Sequence, residues 1–272
     1  EDGDEDTVSA DERRQHVIEF LARKGFVGLA ALVQELGVSE STIRRDLVQL
    51  EEEGIIRRTH GGAVFVSDRF SVLSFAARES TAQQEKDAIG KSAAALIEDG
   101  ETVMLDGGTT TFQVARHLAG RRLQVVTNSL PIANLLGSNA EMEVVLVGGY
   151  IYPRTGVALG PMTTQMLASM HANKAFLSLA GMTEAGLFNH NVLMVEAERQ
   201  MMKAADEVII VADHTKFGRR ALAQLGTWDD VDRVVSDDGL DLTWQSTLQR
   251  SAVSLVLAPV EERARRVVEE SV

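Results

Sequence analysis

The chain has 272 residues, 44% of them hydrophobic and 25% charged, and a formal net charge of −13. That length suits two domains with ample buried core, and the absence of cysteine excludes disulfides and thiolate metal sites. The six histidines show no ligand spacing, so no metal or other cofactor is expected; the apolar runs stop short of the roughly 18 residues a membrane span needs, and the acidic start does not resemble a secretory leader, so a cytoplasmic protein is expected.

Charge is spread unevenly. Residues 1–11 carry six acids and no base, residues 12–66 carry eight of each, and the remainder has a net charge of −7. Polyanion binding depends on local charge, so residues 12–66 are the part suited to nucleic acid, through placed arginines rather than a basic surface. Residues 1–11 read as a disordered acidic tail.

In chain order, Val17, Ile18, Phe20 and Leu21 predict an amphipathic helix after Arg13-Arg14, and Leu29, Leu32, Val33 and Leu36 predict a second that ends at Gly37. Ser39 is placed to cap a third helix, in which Ile43, Leu47 and Leu50 recur on one face. Ser41, Thr42, Arg44 and Arg45 are then turned outward near its N-terminus, the end that a helix-turn-helix protein inserts into the major groove. Ile55-Ile56-Arg57-Arg58 and Ala63-Val64-Phe65-Val66 flank Thr59-His60-Gly61-Gly62 and predict a β-hairpin wing. The DNA-contact candidates are Ser39, Ser41, Thr42, Arg44, Arg45, Arg57, Arg58, His60 and Gly61. An Arg-Arg-Asp triplet standing alone reads as solvated surface; the consecutive order of helices, capped turn and basic wing favours binding to a double-stranded DNA operator.

Residues 67–84 show no strong period and read as a linker in which Phe70, Leu73 and Phe75 dock locally. From Glu85 the rhythm changes. A helix over roughly 83–97 precedes a strand at 102–106, and further apolar strands are expected at 123–127, 143–147, 174–180 and 207–213, with helices between them. Fully apolar strands alternating with helices predict an α/β fold, a doubly wound parallel sheet, over 85–272. A final helix near 259–270 reads equally as an oligomerisation element or as simple docking. Ligands of such sheets sit beyond the carboxyl ends of the strands. There the sequence has Asp106-Gly107-Gly108-Thr109-Thr110-Thr111 opening a helix, Thr127-Asn128, Gly148-Gly149 and Asp213-His214-Thr215-Lys216. A Gly-Gly-Thr-Thr loop is by itself an ordinary turn, and a lysine by itself an ordinary surface residue; their pairing favours a phosphorylated small molecule.

The N-terminal residues Arg13, Ile18, Leu36, Val38, Ser39, Thr42-Ile43-Arg44-Arg45-Asp46-Leu47, Leu50, Gly54, Arg58 and His60-Gly61-Gly62-Ala63 resemble the winged helix-turn-helix domain of the DeoR family of bacterial transcriptional regulators. Glu85-Lys86, Asp106-Gly107-Gly108-Thr109-Thr110, Thr127-Asn128, Gly148-Gly149, Gly156, Lys174-Ala175-Phe176, Gly186, Glu196, Ala212-Asp213 and Lys216-Phe217-Gly218 extend the resemblance to that family's sensor domain, a relative of ribose-5-phosphate isomerase. The resemblance implies a repressor, or less often an activator, of sugar or carbohydrate catabolism genes, a homodimer or homotetramer, whose C-terminal domain binds a phosphorylated sugar or a related metabolite. It supports Asp106, Gly107, Gly108, Thr109, Thr110, Thr127, Asn128, Gly149 and Lys216 as effector-contact candidates. A phosphosugar isomerase with an accessory DNA-binding head is the alternative. It is disfavoured because Ala180-Gly181-Met182-Thr183-Glu184 retains one carboxylate where proton transfer needs a base and an enediolate stabiliser, so no catalytic residue is assigned. Leu187-Phe188-Asn189-His190-Asn191 departs from the family pattern; Arg154 and His190 read either as surface residues or as residues that tune effector identity.

Overall fold

The computed structural model of the protein describes residues 10–24, 26–52, 55–59, 61–65 and 75–261. They fall into two compact units that divide between Leu73 and Ser74. The expectations for residues 1–9, for His60, for 66–74 and for a helix beyond Glu261 lie outside the described residues.

The first unit runs α1 (Ala10–Lys24), β1 (Phe26–Gly28), α2 (Leu29–Leu36), α3 (Glu40–Glu52), β2 (Ile56–Thr59) and β3 (Gly62–Phe65). Val17 and Leu21 of α1, Leu32 of α2 and Ile43, Leu47 and Leu50 of α3 meet in one core, as helical spacing requires. Gly37 ends α2 in the left-handed conformation (φ 64°), its N–H donating to the Val33 carbonyl. Asp46, also on the inner side of α3, is buried and accepts from Arg13 Nε at 2.6 Å and Nη2 at 3.2 Å, tying α1 to α3. The ion pair and hydrogen bond hold the Arg13 guanidinium above its ordinary pKa. The wing is a three-stranded antiparallel sheet in the order β1-β3-β2, one strand more than the expected hairpin. Three residues are too few to show a period, and β1 forms because Gly62 lets β3 approach: a Cβ there would stand 2.1 Å from the Val27 carbonyl oxygen.

The second unit continues with α4 (Phe75–Glu79), α5 (Gln83–Ala94), β4 (Thr102–Leu105), α6 (Thr109–His117), β5 (Gln124–Thr127), α7 (Leu130–Leu136), β6 (Glu143–Leu146), β7 (Tyr150–Tyr152), β8 (Val157–Leu159), α8 (Pro161–Leu167) and β9 (Ala172–Leu177). It closes with β10 (Gly181–Thr183), β11 (Gly186–Asn189), α9 (Val192–Lys203), β12 (Ala205–Val211), β13 (Ala223–Gly226), β14 (Arg233–Asp237), α10 (Leu242–Arg250) and β15 (Ser254–Ala258). A seven-stranded sheet, ordered β15-β14-β12-β9-β4-β5-β6 with every pair parallel, forms its centre.

Alternate side chains of each strand enter opposite layers. Val103, Leu105, Val125, Phe176, Ile209 and Val211 join Ile89, Val114 and Ile132 of α5, α6 and α7 on one face. Met104, Val126, Ala175, Leu177 and Ile210 join Leu167, Val195 and Leu248 of α8, α9 and α10 on the other. This is the doubly wound arrangement. Strands β14 and β15 extend it beyond the five expected strands; their apolar runs, Val234-Val235 and Leu255-Val256-Leu257-Ala258, are too short to separate strand from helix by period. Residues 75–84, read as linker, instead include α4, which is fixed within this unit: Phe75 N–H donates to the Arg154 carbonyl at 3.1 Å, and its ring meets Phe112 edge-on at 5.3 Å.

Candidate functional site

The order of the strands reverses between β4 and β9, from which successive strands are added outward to β6 on one side and to β15 on the other; this is the topological switch point, where such parallel sheets open a crevice beyond the strand ends. Asp106 leaves β4 at this point and is fully buried. Its Oδ1 accepts from Thr111 Oγ1 at 2.6 Å and Gly108 N at 3.0 Å, and its Oδ2 accepts from Ser178 N, beyond β9, at 2.9 Å. Burial pushes the carboxyl pKa up, and these donors pull it back. Gly108 is required by that closure, since a Cβ would lie 1.5 Å from Ser178 Oγ. Thr109 and Thr110 form the buried first turn of α6. Asn128, after β5, donates Nδ2 to the Ala158 carbonyl at 3.0 Å and leaves Oδ1 buried without a partner among the described residues. Asp213, after β12, binds Thr215 through Oδ1 and likewise leaves Oδ2 unpartnered.

Against these oxygens stands a group of cations, two of which the sequence reading missed. Arg78 of α4 is largely buried, and its Nε and Nη2 have no hydrogen-bond partner among the described residues. Burial lowers its pKa, while the nearby charge of Asp106 opposes that. Lys86 of α5 donates to the backbone carbonyls of Arg78 and Thr81, locking the α4–α5 turn. Desolvation first, then the like charge of Lys216, bring the Lys86 pKa down to about 8; Asp213 and Glu79 act the other way. His190, at the end of β11, feels both Lys216 and Arg78. Arg78, Lys86, His190 and Lys216 therefore share one neighbourhood with Asp106 and Asp213. Neither Arg78 nor Lys86 is legible from spacing, because a cation on a short helix reads as solvated until tertiary packing buries it.

The remaining expected site residues divide. Gly107 packs against Val157, where a Cβ would be 1.7 Å from Cγ1. Thr127 has its hydroxyl occupied inside the sheet, donating to the Leu105 carbonyl at 2.7 Å and accepting from Ser129 N at 3.1 Å. Gly149 is explained by close packing, since a Cβ would lie 2.1 Å from Thr163 Oγ1 and 2.8 Å from the Leu159 oxygen. Glu184, the carboxylate on which an isomerase reading would depend, is exposed in the turn between β10 and β11.

In the first unit Ser39 Oγ accepts from Thr42 N at 3.3 Å and lies 2.9 and 2.8 Å from the Ser41 and Thr42 hydroxyls, so α3 begins with a cluster of hydroxyls. Ser41, Arg44 and Arg45 are exposed and Thr42 is half-buried. Arg44 is held along the helix by Glu40 Oε1 at 2.6 Å, and Arg58 on β2 is held by Glu51 at 2.6 Å. Arg45 and Arg57 have no side-chain partner among the described residues and are exposed. Arg44, Arg58, Thr59 and Gly61 line one groove between α3 and the wing.

Residues 13–69 match the family model described as "DeoR-like helix-turn-helix domain", and residues 81–238 match that of the "DeoR C terminal sensor domain". The HTH-type transcriptional repressor GlcR of Bacillus subtilis is 32% identical over 252 residues, covering 93% of this chain and 98% of that protein. The glycerol-3-phosphate regulon repressor of Escherichia coli is 33% identical over 228 residues, covering 83% and 90%. Among solved structures, ribose 5-phosphate isomerase A of Neisseria gonorrhoeae aligns with 52% of this chain and 56% of its own at 16% identity and a TM-score of 0.38, a likeness too distant to bear on activity. A helix-turn-helix head and a sensor domain in one polypeptide, matched over nearly its whole length by named transcriptional regulators, place the chain in the DeoR family of HTH-type transcriptional regulators.

Proposed function

We propose that this regulator represses genes of sugar or carbohydrate catabolism and that a phosphorylated sugar, or a related phosphorylated metabolite, sets its affinity for a double-stranded operator. The observation that carries the reading is the Arg78 guanidinium, which turns two unpartnered nitrogens into a buried neighbourhood that also holds Lys86 and Lys216. Cations so placed are costly to bury unless an anion completes them. The amides of the Gly107-Gly108 turn and the start of α6 add donors at the same strand end. Asn128 Oδ1 and Asp213 Oδ2 offer acceptors suited to sugar hydroxyls, with Thr109 and Thr110 beside them, while Asp106, its oxygens taken by Thr111, Gly108 and Ser178, holds the turn in place. Thr127 and Gly149 shape this pocket rather than touch the effector.

On the DNA side, Arg45 and Arg44 read base edges from α3, while Arg57, Arg58, His60 and the Gly61 backbone hold phosphates, with Ser39, Ser41 and Thr42 at the helix start. A cytoplasmic homodimer or homotetramer presents two such heads to paired half-sites. A thermal-shift screen against hexose, pentose and triol phosphates tests the sensor reading, because a ligand selective for the folded state raises its melting temperature by mass action. A phosphorylated compound that stabilises wild type but not Arg78→Ala is expected; unphosphorylated sugars acting equally well would contradict it.

A further inference from the structure

The segment Asn189-His190-Asn191 joins β11 to α9 and is pinned on both sides. Buried Asn189 donates Nδ2 to Glu198 Oε1 at 2.6 Å and accepts the His190 backbone N–H on Oδ1 at 2.9 Å. Asn191 Oδ1 caps α9 by accepting from Leu193 N at 2.8 Å and Met194 N at 3.4 Å. Strand β11 pairs with β10, so that Phe188 lies opposite Gly181, and the Ala180 N–H donates to the Phe188 carbonyl at 3.2 Å. The turn is thereby held two residues beyond Ser178, the partner of Asp106. Between the two asparagines, the His190 imidazole keeps an accessible surface and has no side-chain hydrogen bond among the described residues.

We propose that His190 is a specificity-determining contact of the effector site: when an anion seats on Arg78, Lys86 and Lys216, the imidazole takes up a proton and becomes a further cationic donor, so that the site favours a phosphate dianion over a monoanion. This rests on the effector reading given above and deepens it.

The charges that act on the ring are those of Lys216, in the turn after β12, and Arg78, of α4. Phe217, next to Lys216, bridges Met182 of β10, and Arg220 lies over the Phe188 ring at 5.1 Å, so this turn packs on the β10–β11 hairpin that ends at His190. Asp106 acts on Arg78, and Asp213 and Glu79 act on Lys86. Glu198, which accepts from Asn189, is fully buried; desolvation, then the charge of Asp106, push its carboxyl pKa well up. In the free protein, partial desolvation first, then the like charges of Lys216 and Arg78, hold His190 below its ordinary value. An anion among these cations reverses the second and third causes. A dianion does so about twice as strongly as a monoanion of the same shape, since the interaction scales with the product of charges. Protonation and anion binding then favour each other, and anion affinity rises as pH falls through the range in which the ring titrates.

Sulfate and methyl sulfate separate the charge of the probe from its own titration, because neither changes protonation near neutrality. Calorimetric titration of the full chain between about pH 5 and pH 7 stays below the range in which Lys86 loses its proton. Wild type is expected to bind sulfate about tenfold more tightly at the lower pH and methyl sulfate only about threefold more tightly, since the monoanion acts on the ring about half as strongly. In His190→Gln, shown to be folded by its melting temperature, the sulfate dependence on pH should vanish. Sulfate binding that is flat with pH in wild type, or that keeps its slope in His190→Gln, overturns the role of His190 and leaves the anion site standing. Failure of sulfate to bind at any pH overturns the anion site and this inference together.

Discussion

Asp106 and Ser178 join the ends of β4 and β9 across the switch point: the carboxylate accepts the Ser178 N–H at 2.9 Å and its hydroxyl at 3.2 Å. Two strands whose connections leave in opposite directions are thus tied at their carboxyl ends. Gly108 makes the tie possible by having no Cβ. Gly108→Ala should displace Ser178 and destabilise the sensor unit by about 1–3 kcal/mol, the usual range for overpacking a tight site. Chemical denaturation measures this, and an unchanged midpoint would show that the turn relaxes freely.

Arg78 should dominate effector affinity without serving DNA binding directly. Loss of its charge-assisted hydrogen bonds in Arg78→Ala is expected to weaken binding of a phosphorylated effector by about 2 kcal/mol, roughly 30-fold. Lys216→Ala should act in the same direction. Calorimetry with the compound found in a thermal-shift screen checks both, and an affinity equal to wild type in either variant removes that residue from the site.

Lys86 makes the site sensitive to alkali. In the unfolded chain its ammonium persists to its ordinary value of 10.5, but in the folded protein only to about 8. Between those values the unfolded state holds more protons, so the contribution of Lys86 makes folding more favourable as pH rises across that window. Anion binding has the opposite slope, because a neighbouring anion stabilises the ammonium. Sulfate affinity is therefore expected to fall as pH climbs past about 8 in wild type and to stay level in Lys86→Arg, where the charge persists. A level profile in wild type would place the bound anion away from Lys86.

Burial, then the charge of Asp106, push the Glu198 carboxyl pKa well up; one oxygen accepts from Asn189 and the other has no partner among the described residues. A raised folded-state pKa means that its contribution to stability declines as pH rises above the unfolded carboxyl value. Glu198→Gln, which keeps the shape and removes the titration, should leave stability at neutral pH equal or higher, whereas Glu198→Ala should lower it by opening a cavity beside Asn189. Thermal melts across pH test the pair; equal losses in both would mean that the carboxylate is charged in the folded protein.

On the DNA face, Arg45 is free while Arg44 is held by Glu40. Arg45→Ala should cost about 1–3 kcal/mol on the operator and relax specificity at one base pair. Arg58 is already neutralised by Glu51, so Glu51→Gln should tighten binding to all duplexes and steepen the salt dependence by about one unit. Titrations at several salt concentrations read both effects, and an unaltered slope would place Arg58 off the phosphates.

The head was legible because its signals are local. A Ser-capped turn, a left-handed glycine and a stripe at Ile43, Leu47 and Leu50 constrain a helix pair with little help from elsewhere in the chain. Asp46 was not legible as a core residue, because its burial depends on Arg13, 33 residues away. In the sensor, five strands and the Asp106 turn could be read from apolar runs ending in Gly and Thr. The short β14 and β15 could not, since a sheet position is what distinguishes them from a buried helix turn. Arg78 and Lys86 escaped for a related reason: only the docking of α4 on α6, through Phe75 and Phe112, turns ordinary surface cations into buried ones. Thr127 was placed at the right strand end, but its hydroxyl is occupied by the backbone of β4.

An anion seated at Arg78 is expected to change operator affinity. Fluorescence anisotropy on a duplex selected from a random pool by the full-length protein measures this directly, with glycerol, pentose and hexose phosphates titrated into wild type and Arg78→Ala. At least one phosphorylated compound should shift operator affinity by about 5- to 150-fold in wild type, the usual span of allosteric coupling, and none should do so in Arg78→Ala. An identical shift in both proteins, or operator binding that ignores every phosphorylated compound, would contradict the account.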